Sequence, residues 1–156
     1  MKNTIILIAI CLSAVITTKA ETEVEKEVKQ LILDNHAYVL KNLEDIGKTI
    51  SKNGTLEFWS SGGLLHSLQQ NVKVRAYDTY NLHPKHIRVI ETNPTTAVAL
   101  YYVEGNYQQK KSENNANYLT RVMQVYVKEE GSWKIRAAHW SPLTGGKGTT
   151  ETAIKQ

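Results

Sequence analysis

The sequence predicts an α+β protein in which helices pack on one face of an antiparallel sheet. Two observations point to this fold class. Apolar residues recur at helical spacing over residues 21–50, and alternating patterns typical of strands follow over residues 56–141. Helices followed by a run of strands favour an α+β architecture, and a chain of 156 residues is sized for one core.

The first twenty residues have the features of a secretory signal peptide. Lys2 gives a positive start, residues 5–16 form an apolar run, and Thr18 and Ala20 place small residues before a cleavage position. The run is shorter than the roughly 20 apolar residues that a membrane-spanning helix needs. We therefore expect cleavage near Ala20 and a secreted or periplasmic domain, with acylation of Cys11 in a lipoprotein as the alternative.

The processed domain is nearly neutral and has no cysteine. Loss of the two lysines within residues 1–20 lowers the formal net charge from +4 to +2, which is too weak and too mixed to indicate nucleic acid binding. Cys11 is removed as well, so disulfides, thiolate metal sites and cysteine nucleophiles are excluded. The sequence predicts no cofactor. It also predicts no metal site, because a proline between His83 and His86 places them at a turn.

The helical segment begins at the expected cleavage site. Its apolar side chains recur at steps of three and four residues, with Val24, Val28 and Ile32 in the first turns. Glutamates crowd the same turns, where the helix dipole favours negative charge. Gly47 is expected to divide the segment into a long helix and a short second one.

Strand patterns rich in Val and Tyr make up the rest of the domain. The predicted strands cover residues 56–60, 72–81, 87–92, 97–107, 118–128 and 133–141. Residues 64–70 fit one or two helical turns, and Pro84 predicts a break because proline has no N–H to donate to a sheet. The domain, residues 21–143, is followed by a tail over residues 144–156 that we expect to be mobile, since it carries no core pattern.

The last two predicted strands can be set in register as a hairpin. If residues 129–131 form a three-residue loop ending in glycine, Arg121 lies opposite His139 at the end of an apolar face. Tyr126 and Gln124 then lie on the other, solvent-exposed face. Because two cations opposite each other repel, we predict a neutral His139 or an anion between the pair.

This hairpin also resembles a known family. Residues 121–133, RVMQVYVKEEGSW, and the later residues 139–141, HWS, resemble the last hairpin of the nuclear transport factor 2-like superfamily, most closely its SnoaL-like and ketosteroid-isomerase-like branch. Residues 45–63 resemble that family's second helix, first strand and Gly-Gly turn. The resemblance implies a cone-shaped curved antiparallel sheet packed on a long N-terminal helix and enclosing a pocket. It also implies a homodimer formed through the outer face of the sheet.

The resemblance does not extend to the isomerase's catalytic residues. The three aspartates, Asp34, Asp45 and Asp78, are predicted on helix surfaces or on a strand of undecided face, and none matches the isomerase's base or its oxyanion pair. Met123 stands where the family often has Ser or Thr, so the pocket loses a hydroxyl. Isomerase activity is therefore not carried over, because function in such superfamilies belongs to the site and not to the fold.

Several polar and aromatic side chains could line the predicted pocket. Arg121 and His139 could bind an acidic ligand or act as an acid/base pair, with Glu104 as the intervening anion; the alternative is a buried pair that fixes the end of the sheet. Tyr102 and Glu104 share one strand face, and the pattern does not decide whether that face or the one with Tyr101 looks inward. The candidate ligand-binding residues are Trp59, Ser60, His66, Tyr80, Tyr102, Glu104, Met123 and Ser141.

Three functions are compatible with these features. The first is a binding domain whose mainly apolar pocket takes a small hydrophobic molecule bearing a carbonyl or carboxylate group that reaches Arg121 and His139. The second is an enzyme of the isomerase, cyclase or dehydratase type, with His139 as general base and Arg121 as oxyanion stabiliser. The third is an association module whose interior is filled by side chains. We expect a homodimer, no nucleic acid partner and no membrane contact after signal cleavage.

Overall fold

The computed structural model describes residues 20–71, 73–113 and 115–143. The predicted signal peptide, apart from Ala20, and the predicted tail lie outside the described residues. Within these ranges the chain forms one α-helix followed by six β-strands. The helix found in this part of the chain does not combine the length and apolar character needed to cross a membrane.

The helix α1 spans Glu23–Asn42 and has sequence signals at both ends. At its start, the Glu25 N–H donates to Thr22 Oγ1 at 3.2 Å and the Thr22 N–H donates to Glu25 Oε2 at 2.9 Å, a reciprocal capping box. At its end, Leu43 adopts a left-handed conformation with φ 55°, and its N–H donates to the Val39 carbonyl. The helix buries Val28, Ile32 and Val39 against the sheet.

The expected short second helix does not form. Glu44 makes an isolated antiparallel bridge with Ala76, and Ile50 makes a parallel bridge with Ile135. The chain after α1 therefore satisfies its backbone by pairing with sheet residues. The helix prediction was wrong here because apolar spacing reports which residues face the core, and Ile50 is buried in an extended segment.

The six strands form a single curved, open sheet with the order β2-β1-β6-β5-β4-β3. Neighbouring strands are antiparallel except β1 and β6, which are parallel, so the sheet is mixed. The α+β class and the cone-shaped sheet packed on a long N-terminal helix are confirmed. The strands are β1 Thr55–Phe58, β2 His66–Leu68, β3 Tyr77–Asn93, β4 Thr96–Gln109, β5 Asn115–Glu129 and β6 Ser132–Pro142.

Two local predictions along the chain were wrong. Residues 64–70 contain the short edge strand β2, paired antiparallel with β1, and not helical turns. The long strand β3 continues through Pro84, which pairs with Val103. Because β3 is the other edge of the sheet, the missing N–H of Pro84 costs no ladder bond on the open side. The irregularity appears just beyond, where the register shifts between Lys85 and Arg88.

The β5–β6 hairpin has a two-residue loop, and not the three-residue loop that was predicted. Glu129 pairs with Ser132, and the two loop residues both have positive φ, 49° at Glu130 and 77° at Gly131. Two successive positive φ angles are the requirement of the type I′ turn that matches strand twist. The register is thereby shifted from the expected one, and a further irregularity follows between Val125 and Tyr126.

This register overturns the expected pairing and the expected faces. Arg121 pairs with Ser141 and His139 pairs with Met123, so Arg121 and His139 are not opposite each other. Tyr126 is 2% exposed and Gln124 4% exposed, whereas Met123 is 44% exposed. The face predicted to be wet is thus the inner face, and the apolar face that ends in Met123 is the outer one.

The core lies between α1 and the inner face of β4 and β5. Val28 and Ile32 of the helix pack against Ala97, Ala99 and the strand residues beyond them. The two alanines are fully buried and leave room for the helix to approach the sheet. The undecided face of β4 is thereby settled: the face with Tyr101 looks inward, and Tyr102 and Glu104 look outward.

A candidate ligand cavity under the helix

A cavity of about 720 Å³ lies between α1, the segment after it and the inner face of the sheet. Its helical wall carries Ile32, His36 and Val39, and its floor is formed largely by aromatic side chains. The cavity wall is more apolar than polar, and polar side chains are present at several points of it, which is compatible with a small-molecule site. The aromatic lining residues are Trp59, Tyr77, Tyr80, Tyr101, Tyr107, Tyr118, Tyr126 and Trp140.

Gly105 allows the long strands β3 and β4 to bend around this cavity. It pairs with Leu82 and has φ 134°, and a Cβ added there would lie 1.8 Å from the Asn81 carbonyl oxygen. No other residue type fits that close backbone approach. The part of β4 beyond the glycine brings Tyr107 to the cavity wall.

The floor of the cavity holds a buried amide between two phenols. The Tyr101 hydroxyl and the Tyr126 hydroxyl each donate to Gln124 Oε1 at 2.7 Å. Burial raises the pKa of both tyrosines, so both remain protonated donors at neutral pH. The satisfied hydrogen bonds explain how Gln124 tolerates an almost fully buried position.

A histidine on α1 faces the same space. The Tyr80 hydroxyl lies 3.1 Å from His36 Nδ1, and the ring of Tyr101 meets the imidazole edge-on. Burial lowers the pKa of His36 from 6.5 to about 4, the charge of His83 acts in the same direction, and a backbone hydrogen bond with Leu82 opposes them. His36 is therefore a neutral imidazole at neutral pH.

An ion pair with a phenol closes another part of the wall. Asp45 Oδ2 accepts from Arg75 Nε at 3.0 Å, and Asp45 Oδ1 accepts from the Tyr77 hydroxyl at 2.6 Å. The Asp45 N–H also donates to the Arg75 carbonyl at 2.9 Å. Asp45, predicted as a helix surface residue, instead joins the segment after α1 to the start of β3.

Trp59 and Ser60 lie in the wall after β1. The Trp59 indole stacks on His66 with ring centroids 3.8 Å apart, and its Nε1 donates to Glu57 Oε2 at 2.9 Å. Ser60 Oγ donates to the Tyr118 hydroxyl at 3.3 Å. These contacts hold Trp59 and Ser60 against the cavity, whereas His66 is separated from it by the indole.

The structure brings three of the candidate residues to the cavity: Trp59, Ser60 and Tyr80. On the outer side of the sheet, the Arg121 Nη2 donates to the Pro142 carbonyl and the His139 ring contacts Phe58. A binding role for residues outside the cavity stays a prediction, and it would need a ligand on the outer surface. The candidates that do not line the cavity are His66, Tyr102, Glu104, Arg121, Met123, His139 and Ser141.

The predicted anion between Arg121 and His139 stays a prediction, because the two residues are diagonal neighbours on the outer face and not a directly opposed pair. Glu104 instead accepts from Lys85 Nζ at 3.3 Å, on the exposed outer side of β4. In the part of the chain that the structure describes, no group of three or more His, Cys, Asp or Glu side chains is placed to hold a metal ion.

Sequence reasoning missed the two polar groups that face the cavity most directly, His36 and Gln124. His36 follows the buried Ile32 by four residues and precedes the buried Val39 by three, so it lies on the apolar face of α1. That spacing was a usable signal. Gln124 could have been found only by assigning the β5 faces correctly.

Comparisons with known proteins support the fold and leave the activity undefined. No protein-family model matches the chain, and no curated protein matches it in sequence. A protein from Novosphingobium aromaticivorans, provisionally described as an aromatic ring hydroxylase, superimposes with a TM-score of 0.59 at 13% identity, covering 81% of this chain and 94% of that one. A second, from Exiguobacterium sibiricum 255-15, is provisionally described as a calcium/calmodulin-dependent kinase II association domain. Its TM-score is 0.57 at 16% identity, with coverage of 82% and 99%.

A third similar structure is an NTF2-like protein of unknown function from Pseudomonas putida KT2440. It has a TM-score of 0.53 at 14% identity and covers 78% of this chain and 87% of that one. The chain therefore has the nuclear transport factor 2-like fold, and the resemblance found in the sequence is confirmed at the level of the fold.

Proposed function

We propose that this protein is a SnoaL-like, extracytoplasmic binding domain for a small, mainly apolar molecule, held in the cavity under α1. The observation that carries the proposal is the cavity itself, whose volume of about 720 Å³ falls in the range of known ligand pockets. An association module with a side-chain-filled interior would not need this space. The secreted or periplasmic location is supported by the signal-peptide features of residues 1–20.

The protein would act as a homodimer through the outer face of the sheet. That face carries exposed apolar side chains on neighbouring strands, and such patches usually mark association surfaces. One structure of the same fold is provisionally described as an association domain. The exposed apolar residues of this face include Leu56, Phe58, Ile90, Leu100, Tyr102, Leu119 and Met123.

The direct test is native mass spectrometry of residues 21–156 purified gently from the extracytoplasmic fraction, followed by a titration with the apolar compound 4-isopropylbiphenyl. The proposal predicts a dimer with a co-purified small mass or saturable binding of the added compound. Ser60→Trp should weaken the binding of either compound, because an indole at this lining position takes up part of the cavity. Ser67→Trp is the matched control, since Ser67 is exposed on β2 and does not line the cavity.

Two results would contradict the proposal. One is the absence of both a co-purified mass and saturable binding in the wild-type protein. The other is binding that Ser60→Trp weakens no more than Ser67→Trp does, because the bound compound would then lie outside the cavity.

A second candidate function is catalysis of the isomerase, cyclase or dehydratase type, favoured by the neutral imidazole of His36 beside Tyr80. A pKa of about 4 makes His36 a weak base at neutral pH, because a general base works best with a pKa near the working pH. Binding is therefore the better-supported function. Turnover of a co-purified compound that is lost in His36→Gln, with binding retained, would favour catalysis.

A further inference from the structure

Resting on the proposed function, the geometry points to the ligand class: we infer that the cavity selects an uncharged molecule with an apolar body and a carbonyl-type acceptor, which receives a hydrogen bond from Gln124 Nε2. Gln124 is then the specificity-determining residue. Tyr101 and Tyr126 are positioning residues that act through it.

The two phenols occupy the oxygen end of the Gln124 amide. Both hydrogen bonds that the described residues make with this side chain end on Oε1, at 2.7 Å from the Tyr101 and Tyr126 hydroxyls. An amide oxygen has two lone pairs, so Oε1 is saturated, while the two N–H groups of Nε2 are left to donate elsewhere. In the structure the amide oxygen is thus occupied by the two phenols, and Nε2 is the end of the amide that can donate to a ligand.

The Nε2 group is reached from the cavity. Among the described residues, Thr55 Oγ1 is the one fully buried side-chain polar atom without a partner. Gln124 Nε2 does not belong to this class of fully buried atoms without a partner, although the residue as a whole is only 4% exposed. Since Gln124 lies on the inner face and lines the cavity, its remaining exposure is to that space. A ligand that covers Nε2 without accepting from it would leave a buried donor unpaired, which costs about 1–3 kcal/mol, so a ligand with an acceptor at this point is favoured.

The surroundings of Gln124 favour an uncharged acceptor over a carboxylate. The side chains bonded to Gln124 are phenols, and the nearby imidazole of His36 is neutral. Lys48 and Lys73 line the cavity but are exposed residues, and Arg75 is already paired with Asp45. A carboxylate at Gln124 would lose its water without gaining a counterion, whereas a carbonyl loses far less hydration.

The test uses three compounds of nearly the same shape in equilibrium dialysis against the processed protein. They are 4-acetylbiphenyl, which carries a neutral acceptor, 4-isopropylbiphenyl, which has none, and biphenyl-4-carboxylate, which is anionic. The inference predicts that 4-acetylbiphenyl binds roughly tenfold more tightly than 4-isopropylbiphenyl, and that the carboxylate binds most weakly.

Substitution of Gln124 assigns the preference to its amide. Gln124→Glu keeps an oxygen that accepts from both phenols but removes the N–H donors, so the preference for 4-acetylbiphenyl should fall about tenfold while 4-isopropylbiphenyl still binds. Gln69→Glu is the matched control at an exposed position away from the cavity, and it should leave the preference unchanged. If Gln124→Glu does not fold, Tyr126→Phe serves instead. This substitution removes one of the two hydrogen bonds that hold the Gln124 amide in place. The preference for 4-acetylbiphenyl should therefore fall severalfold, while binding of 4-isopropylbiphenyl is unchanged.

The outcomes separate the inference from the proposed function. Equal binding of 4-acetylbiphenyl and 4-isopropylbiphenyl overturns the inference and leaves the binding function standing. If biphenyl-4-carboxylate binds most tightly, the inference is also overturned, and the exposed lysines of the cavity wall are the groups that bind the polar end of the ligand. Absence of saturable binding of all three compounds overturns the proposed function together with the inference. A preference that persists in both Gln124→Glu and Tyr126→Phe removes Gln124 from its role.

Discussion

The two faces of β5 reverse the usual relation between polarity and burial. On the inner face, Gln124 and Tyr126 are almost fully buried, whereas on the outer face Leu119 and Met123 are more than 40% exposed. The inner polar atoms satisfy one another and border a cavity, so their burial leaves few orphaned groups. The outer apolar atoms belong to the surface proposed above for dimerisation. On β5, the more apolar face is therefore not the face that lines the interior.

The largest expected contrast between the faces is in stability. Tyr126→Ala removes a ring that is 2% exposed and also a donor to Gln124, so it should lower the free energy of unfolding by about 3–5 kcal/mol. Tyr102→Ala, the same substitution at a site that is 39% exposed on the outer face, should cost under about 1 kcal/mol. Urea unfolding at low protein concentration measures both. If both substitutions lowered the free energy of unfolding equally, the inner and outer faces would not differ in packing.

A second contrast is in pH dependence. Burial lowers the pKa of His36 from 6.5 to about 4, so the stabilising effect of the neutral imidazole is complete above pH 6.5. As the pH falls from 6.5 to 4, the unfolded chain binds a proton that the folded chain does not, and stability should decrease by roughly 3 kcal/mol. Chemical unfolding across this window should show a shallower decrease in His36→Gln. If the free energy of unfolding fell equally with pH in the two proteins, His36 would be in contact with water in the folded protein.

The third contrast concerns association. Leu100→Glu places a charge at the centre of the outer face, where Leu100 pairs with Met123. It should weaken the dimer by about 100-fold, as loss of a central interface contact does, and should leave ligand binding intact. Sedimentation velocity measures the change. Leu64→Glu is the control, because Leu64 is 88% exposed in the loop between β1 and β2. A dimer equally stable in Leu100→Glu would move the interface elsewhere.

The smallest expected effect tests the register that separates the faces. Glu130 has φ 49° in the two-residue turn, a conformation that asparagine adopts more easily than glutamate. Glu130→Asn should therefore stabilise the protein by about 0.5 kcal/mol, measured by thermal unfolding. In a three-residue loop, Glu130 would not need a positive φ, and asparagine would bring no gain there. A destabilising effect of Glu130→Asn would therefore favour the three-residue loop and its register.

The sequence predicted the fold class because secondary structure leaves a periodic signal. The capped helix and the long strands were recognised from spacing and alternation, and residues 121–133 carried the family resemblance that the fold confirms. The predicted boundaries of helices and strands were wrong where tertiary contacts determine them. Pro84 is tolerated because β3 lies at an edge, and the segment after α1 is extended because it pairs with the sheet.

The site was only partly predictable, because one turn decides which side chains face inward. Of the candidate residues, Trp59, Ser60 and Tyr80 line the cavity, and their role in binding stays a prediction. Arg121 and His139 were brought together by a loop one residue too long, and the correct turn separates them. The alternation of a strand distinguishes two faces but does not show which of them is buried, and the sequence prediction took the more apolar face of β5 as the buried one.

The most direct test of the account is a crystal structure of the processed protein with 4-acetylbiphenyl. The account predicts that the biphenyl lies in the cavity under α1 with its carbonyl oxygen within about 3 Å of Gln124 Nε2. The phenol groups of Tyr101 and Tyr126 should remain bonded to Oε1. A compound bound on the outer face near Met123 and His139, with the inner cavity closed by side chains, would contradict it.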